Sequence, residues 1–362
     1  MQKIVNDQSL PIKSGVFRAH TPDQLIVSID TSLDTPLGVN IDPVVFSLSR
    51  PGDDGQDNDP FINLQLPGKH VDGETEIVVT NQTVSVDSQD ELITWFSEVF
   101  DKKDVQLSVA ASPKVKLGAL HYEPSLKKTL EVPALNSLQG FGVQDLRFSL
   151  SGDNSSSSSS SGSNNSKSNL RGKVNIPNSG ALTLGLGNLT FAVLSGDIRL
   201  GLLTVFDVDL YHGDNIRDFE GELFFNELVP NLMAILDSQK AALAEGQIEL
   251  NATGHATVVN GQHIPYVEEV LKNKRIPFRI PVITLLVDVV SGLTNGGEGS
   301  FLDVIGEVFG NTTLLDQALH HWDGSGNGSD SASLRANLKR SSPKASLAWS
   351  MMKLGARGSK LG

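Results

Sequence analysis

The chain is 362 residues long, 39% hydrophobic and carries a formal net charge of −13; that length supports two domains with their own cores, and so acidic a chain is poorly suited to tracking nucleic-acid phosphates. It contains no cysteine, which excludes disulfide staples, thiolate chemistry and cysteine zinc sites. The charge is uneven: from Asp323 to the end seven Lys/Arg face two Asp, so the tail is +5 and the remainder −18.

Residues 1–20 open with "MQKIVNDQSLPIKSG", which has no apolar run and predicts neither a secretory leader nor a membrane anchor. They read as an N-terminal extension. From Val27 to Leu48 ("VSIDTSLDTPLGVNIDPVVFSL") apolar residues mostly alternate, the mark of half-buried strands. The loop "PGDDGQDNDPF" follows, with Asp53, Asp54, Asp57 and Asp59. Clustered carboxylates of this kind could hold calcium, but the Gly and terminal Glu of the helix-loop-helix site are missing, which favours a solvated loop. "SQDELITWFSEVF" predicts a helix opened by a capping box of Ser88 and Glu91, with Leu92, Phe96 and Val99 on one stripe. "VQLSVAA" at Val105 returns to a strand.

"SGDNSSSSSSSGSNNSKSN" is a Ser/Asn-rich segment that has nothing to bury. Beyond it lies "NIPNSGALTLGLGNLTFAVLSGDIRLG", Asn175 to Gly201, whose glycines suggest a phosphate loop. Such a loop needs a strand, a glycine turn and then a helix N-terminus. Here another strand follows, and the chain has no Gly-Lys-Ser/Thr. Leu182, Leu184 and Leu186 share one face, and Leu189, Phe191 and Val193 resume it after Gly187-Asn188. The glycines therefore read as a strand kink or bulge. Ser195 to Asp197 predicts a hairpin turn. "IRLGLLTVFDVDL" reads as the returning strand, with Phe206, Val208 and Leu210 inward and Asp207 and Asp209 outward. "YHGDN" is the next turn, followed by a strand through Phe219, Gly221 and Leu223. "NELVPNLMAILDSQKAALAEG" predicts a helix capped by Asn226 and stopped by Gly246, with Leu228, Leu232 and Ile235 on one stripe. "QIELNATGHATVV" is again a strand, and "SFLDVIGEVFG" predicts a helix starting at Ser300.

The order repeats itself. Val27–Leu48 lays over "GKVNIPNSGALTLGLGNLTFAV" with Ile29 on Val174, Val39 on Leu184, Ile41 on Leu186 and Phe46 on Phe191. Each copy then has a helix and a strand. Each closes on a Tyr, a charged segment and an apolar-X-apolar-Pro, "HYEPSLKKTLEVP" against "IPYVEEVLKNKRIPFRIP". We read a tandem duplication: fold class α+β, mostly β, as two tandem antiparallel β-sandwich repeats with one packed helix each. The expected divisions are an extension at 1–20, a first repeat at 21–148, an insert at 149–168 and a second repeat at 169–293. A helical segment at 294–322 and a disordered basic tail at 323–362 complete the chain.

The segment "VNIPNSGALTLGLGNLTFAVLSGDIRLGLLTVFDVDLYHGDN", with its extended start, "GNLTF" strand, hairpin and "GDN" turn, resembles the fungal AsmA-like domain of unknown function, a relative of the water-stress and late-embryogenesis-abundant sandwich. The likeness is clearest over 172–221 and weaker in the first copy. The family places Pro directly after Asn; Ile176-Pro177-Asn178-Ser179 permutes that order. The resemblance implies tandem repeats on the lumenal side of a single-pass vacuolar-membrane protein, and through one family member a role in ending autophagy. Since this chain has no apolar run long enough to span a bilayer, the resemblance casts it as the lumenal part of a longer polypeptide or as a soluble cytoplasmic offshoot.

Candidate sites are few. Sequons occur at Asn81, Asn154, Asn164, Asn188, Asn251, Asn311 and Asn327; they have meaning only in a lumenal chain, and Asn81, Asn188, Asn251 and Asn311 are taken as candidate glycan acceptors. His320-His321 are adjacent, a poor metal pair beside i, i+4 spacing. No strand-elbow serine, paired carboxylates or cofactor fingerprint stands out, so neither catalytic residues, metal ligands nor a cofactor are assigned. The tail, with Trp349, Met351, Met352 and Leu354 among basic residues, reads either as a disordered solubilising segment or as one that lies on an anionic membrane. Two functions remain in play: a non-enzymatic binding or scaffolding module with a protein partner, or a module that binds membrane lipid. An open apolar groove would mark the second, whereas one-sided burial marks the first.

Overall fold

A computed structural model describes residues 12–52, 58–117, 120–148, 168–224 and 245–281, with scattered positions between 227 and 242. Alternating apolar residues give strands almost throughout. They are β1 (Ile12–Thr21), β2 (Gln24–Ile41), β3 (Val44–Ser49), β4 (Ile62–Leu66), β5 (Lys69–Ser85), β6 (Asp104–Ala111), β7 (Val115–Leu117), β8 (Leu120–Tyr122), β9 (Leu126–Pro133) and β10 (Gly142–Phe148). After the insert come β11 (Leu170–Asn175), β12 (Leu182–Ser195), β13 (Ile198–Leu210), β14 (Ile216–Leu223), β15 (Gln247–Val259), β16 (Gln262–His263) and β17 (Ile276–Pro281). Among the described residues two α-helices are continuous, α1 (Gln89–Asp101) and α2 (Pro265–Lys272). The fold is α+β, mostly β, as the alternation requires.

Among the described residues the strands form two sheets. The larger runs β10-β11-β14-β13-β12-β1-β2-β7-β8, with β15 beside β12 and β5 beside β2; the smaller is β4-β3-β6-β9. The antiparallel pairs β1–β2, β2–β5, β3–β4, β3–β6 and β6–β9 have counterparts in β10–β11, β11–β14, β12–β13, β12–β15 and β15–β17. Pairings without a counterpart break the parallel between the halves: β13 pairs β14, whereas β4 and β5 lie in different sheets, and β1 joins β12. β12 carries β13 along one edge, while its other edge is shared by β15, which covers Asn188–Leu194, and by β1, which runs parallel to it from Gly15↔Leu182 to Arg18↔Gly185.

The largest of three apolar clusters among the described residues crosses both halves, taking in Phe17, Trp95, Phe96, Phe141, Leu184, Phe191, Phe219, Tyr266 and Phe278. Trp95 stacks on Phe61 at 5.1 Å between centroids and meets Phe17 at 5.6 Å and Phe96 at 5.5 Å. Its indole N–H donates to Gln106 O at 3.2 Å, so this donor is satisfied. Phe96 in turn lies 6.4 Å from Tyr266 of α2. The predicted faces hold: Leu182, Leu184, Leu186, Leu189, Phe191 and Val193 are all buried, and Gly187 takes a positive φ of 72° at the kink between them. The counterparts in the first half are less deeply set. Ile29 and Phe46 are half-buried, and Val39 belongs to a small separate cluster with Val71 and Val115.

Several local expectations need correction. Ser88 holds the N-cap position of α1 but makes no side-chain capping bond. Glu91 is drawn instead to Arg50, Nε to Oε2 3.2 Å, so the box does not close. Phe206 faces outward rather than into the core, 46% exposed. Asp207 has φ 46°, and this bulge resets the alternation so that Val205 and Val208 both point inward. The charged stretch before the last strand contains α2, whose Tyr266, Val267, Val270 and Leu271 are buried. The latter part of the expected N-terminal extension, from Ile12, is β1. In the stretch 226–246, Glu227, Asn231, Ile235 and Ser238 are helical, Ile235 is buried, and Gly246 has φ 73° where the helix gives way to β15. Asn226, Leu228 and Leu232 lie outside the described residues, as do the insert, the helix expected from Ser300 and the basic tail.

Candidate functional site

A cluster of polar residues gathers where β1 meets β12, against the neighbouring β13. Asp209 is on the outward side of β13. Arg18 is on β1, and Gly185 of β12 lies between them; a Cβ at Gly185 would come within 2.4 Å of Arg18 Cγ and 2.8 Å of Asp209 Oδ1. The missing side chain lets the guanidinium cross β12 and grip the carboxylate with both prongs, Nε to Oδ1 at 3.3 Å and Nη2 to Oδ2 at 3.4 Å. This hydrogen bond raises the Arg18 pKa above its ordinary value against the desolvation that lowers it. Tyr211 donates its hydroxyl to Asp209 Oδ2 at 3.3 Å, and Arg217 Nη2 donates to Asp209 O at 3.3 Å. With side chains 37% and 33% exposed, the Arg18–Asp209 pair contributes only about 0.5–1 kcal/mol.

Below this seam two buried asparagines hold the turns. Asn178 donates to Leu182 O and Leu210 O at 2.8 and 2.9 Å and accepts from Gly180 N at 2.8 Å. Asn215 donates to Ile176 O, Tyr211 O and Gly213 O and accepts from Tyr211 N. These bonds explain why the "IPNSG" and "YHGDN" turns look conspicuous in the sequence: the side-chain amides replace missing backbone partners. On the solvent side of the same strands, Phe206, Tyr211 and Ile216 are 46%, 49% and 55% exposed beside Asp207, Asp209 and Asp218. This arrangement offers an apolar and acidic surface for contact.

The other predicted sites are dispersed. Asn81 is exposed on β5, Asn188 is half-buried on β12, and Asn251 is half-buried on β15; Asn154, Asn164, Asn311 and Asn327 lie outside the described residues. Of the acidic loop only Asp59 is described, and it is exposed. Among the described residues no three His, Asp or Glu side chains group as metal ligands. His70, His212 and His263 bond Asn40, the Gly180 carbonyl and Glu268 respectively. Sequence reasoning missed Arg18, because β1 falls in a stretch without strict alternation, and it missed the exposure of Phe206. Asp209 was legible as outward-facing, but nothing local indicates its partner 191 residues away.

Residues 59–193 match the model of a protein family described as "Protein of unknown function (DUF3712)". That stretch runs from the start of β4 through the buried part of β12 and takes in the insert. No curated protein matches the chain. Among solved structures, a protein from Archaeoglobus fulgidus is similar at 11% identity over 35% of this chain and 98% of its own, with a TM-score of 0.23. A protein from Arabidopsis thaliana known from a solution structure is similar at 11% identity over 35% of this chain and 82% of its own, with a TM-score of 0.24. No described helix is long and apolar enough to cross a membrane.

Proposed function

We propose that the chain is a non-enzymatic binding module built by duplication, held on the lumenal side of the vacuolar membrane and acting through its surface. The observation that carries the binding reading is the filled main core. Apolar residues of both sheets, from Phe17 to Phe278, gather in one main cluster, and such filling favours surface recognition over enclosure of a lipid chain. The recurring strand-pair pattern supports the duplication. The placement in the vacuole and the link to autophagy rest on the resemblance of 172–221 alone. Cell fractionation of an end-tagged full-length transcript tests the placement: the reading requires sedimentation with vacuolar membranes, protease protection and a glycosidase-sensitive mass. A soluble, protease-accessible, unmodified chain would overturn it. For the binding reading, cross-linking from the face bearing Phe206 and Tyr211 is expected to capture a protein, whereas capture of a photoactivatable phospholipid would favour lipid handling instead.

A further inference from the structure

The described sequons differ sharply in what surrounds them. Asn188 and its Thr190 are committed to the neighbouring strand: Asn188 Oδ1 accepts from Asp207 N at 3.0 Å, and Thr190 Oγ1 shares a 3.0 Å hydrogen bond with Thr204 Oγ1. β12 is flanked on both sides there, by β13 and by β15. Asn251 is likewise in an interior strand, paired to Leu194 on one side and Pro277 on the other, and Thr253 donates its hydroxyl to Lys272 O at 3.0 Å. A glycan at either would have to rise through a packed sheet.

Asn81 is built differently. β2 and β5 lose register between Val27↔Gln82 and Ile29↔Val79, so β5 has Thr80 and Asn81 opposite Ser28 alone. Asn81 takes the extra position with φ 48°, a left-handed conformation that asparagine tolerates better than most residues. Ser28 Oγ accepts the Asn81 backbone N–H at 2.8 Å and donates to Asn81 Oδ1 at 3.4 Å. The bulge is thereby pinned, and the amide nitrogen is left as the projecting end. Thr80, Asn81 and Thr83 are all exposed.

We propose that Asn81 is an N-linked glycan site of the folded protein, and that among the described sequons it alone accepts a glycan without cost to the fold. The chemistry is condensation of the Asn81 Nδ2 with a lipid-linked oligosaccharide donor: the N-glycosidic bond forms, the donor's sugar–phosphate bond breaks, and the lipid pyrophosphate leaves with the amide proton passing to base. The inference rests on the lumenal reading, and the experiment separates the two. The full chain is expressed behind a secretory leader, with a control acceptor sequon in an end tag that reports entry to the lumen. Occupied asparagines are identified by mass spectrometry after enzymatic deglycosylation, which leaves them as aspartate. The expected result is an occupied Asn81 with Asn188 and Asn251 largely empty, and Thr83→Ala, which removes the sequon without touching the bulge residue, losing one glycan's worth of mass. An empty Asn81 beside an occupied control, or equal occupancy at Asn188 or Asn251, would overturn the proposal. Occupancy of Asn81 in this secreted chain, with no glycan on the chain isolated from its own cells, supports the site and defeats the lumenal placement.

Discussion

At the scale of single residues, the seam between the halves depends on what Gly185 lacks. A methyl group there would collide with Arg18 Cγ, as its 2.4 Å approach requires. Gly185→Ala is therefore expected to destabilise the protein by about 1–3 kcal/mol, the usual range for overpacking. Arg18→Ala alone should cost no more than about 1 kcal/mol, because the pair is a third exposed. The double variant should be more stable than the sum of the two effects by up to about 1 kcal/mol, since shortening Arg18 removes the closest approach, at 2.4 Å, and leaves that of Asp209 Oδ1 at 2.8 Å; strict additivity in chemical denaturation would refute this packing. His255 gives a pH-dependent test. Burial, then the nearby Arg199 charge, lowers its pKa below the ordinary value. The unfolded chain thus takes up this proton at a higher pH than the folded one, so the contribution to stability is present above about pH 6.5 and is lost as pH falls through the folded value. Denaturation curves of the parent and His255→Gln between pH 8 and pH 5 should show the parent losing ground to the variant on acidification.

At the scale of elements, α1 and α2 meet across the division between the halves. Tyr266 shows how that contact is fixed. Its ring is buried against Phe96, while its hydroxyl donates to Thr21 O at 3.2 Å and Gln24 O at 3.0 Å, the two ends of the β1–β2 turn. Burial pushes its pKa well above the ordinary value, so it stays a neutral donor throughout the working range. Tyr266→Phe leaves two turn carbonyls without this donor at nearly constant volume, and should cost about 1–3 kcal/mol in urea denaturation with an unchanged slope. A neutral result would mean that water replaces the hydroxyl. This element also marks where reading the sequence stops. The alternation in Leu182–Val193 and the stripe of α1 were legible because period and burial coincide there. The eight residues of α2 were not: Pro265 and two glutamates suit a loop as well as a helix N-terminus, and only the packing on β15 and α1 decides between them. Phe206 failed for a similar reason, since the bulge at Asp207 puts the positions before it out of phase with Val208 and Leu210 after it without altering the composition.

At the scale of the whole molecule, the sequence reads as two copies, whereas the main core of the folded chain is shared between the halves. Two features account for the difference, and both involve long-range contacts that no local pattern encodes. The first is the aromatic run from Phe61 through Trp95 and Phe96 to Tyr266, which joins a helix of the first half to one of the second. The second is β1, which belongs by sequence to the first half, pairs antiparallel with β2 and also completes the edge of β12. A segment paired to both halves should transmit its loss to both. Removing residues 1–21 deletes β1 with its buried Phe17, and native-state hydrogen exchange of the remaining chain can follow each half separately. If β1 only lengthened an edge, protection would fall at Leu182–Gly185 and along β2 but hold in α1 and in the β12–β13 ladder beyond Leu189. The shared core demands more: Phe17 contacts Trp95, so its absence opens a cavity under α1, worth about 3–5 kcal/mol for a buried Phe. That loss should reach α1, α2 and the β13–β14 ladder together, with amides of both halves exchanging at similarly reduced free energies. Exchange that accelerates in one half while the other keeps its protection would show that the two copies are independent units touching at a seam.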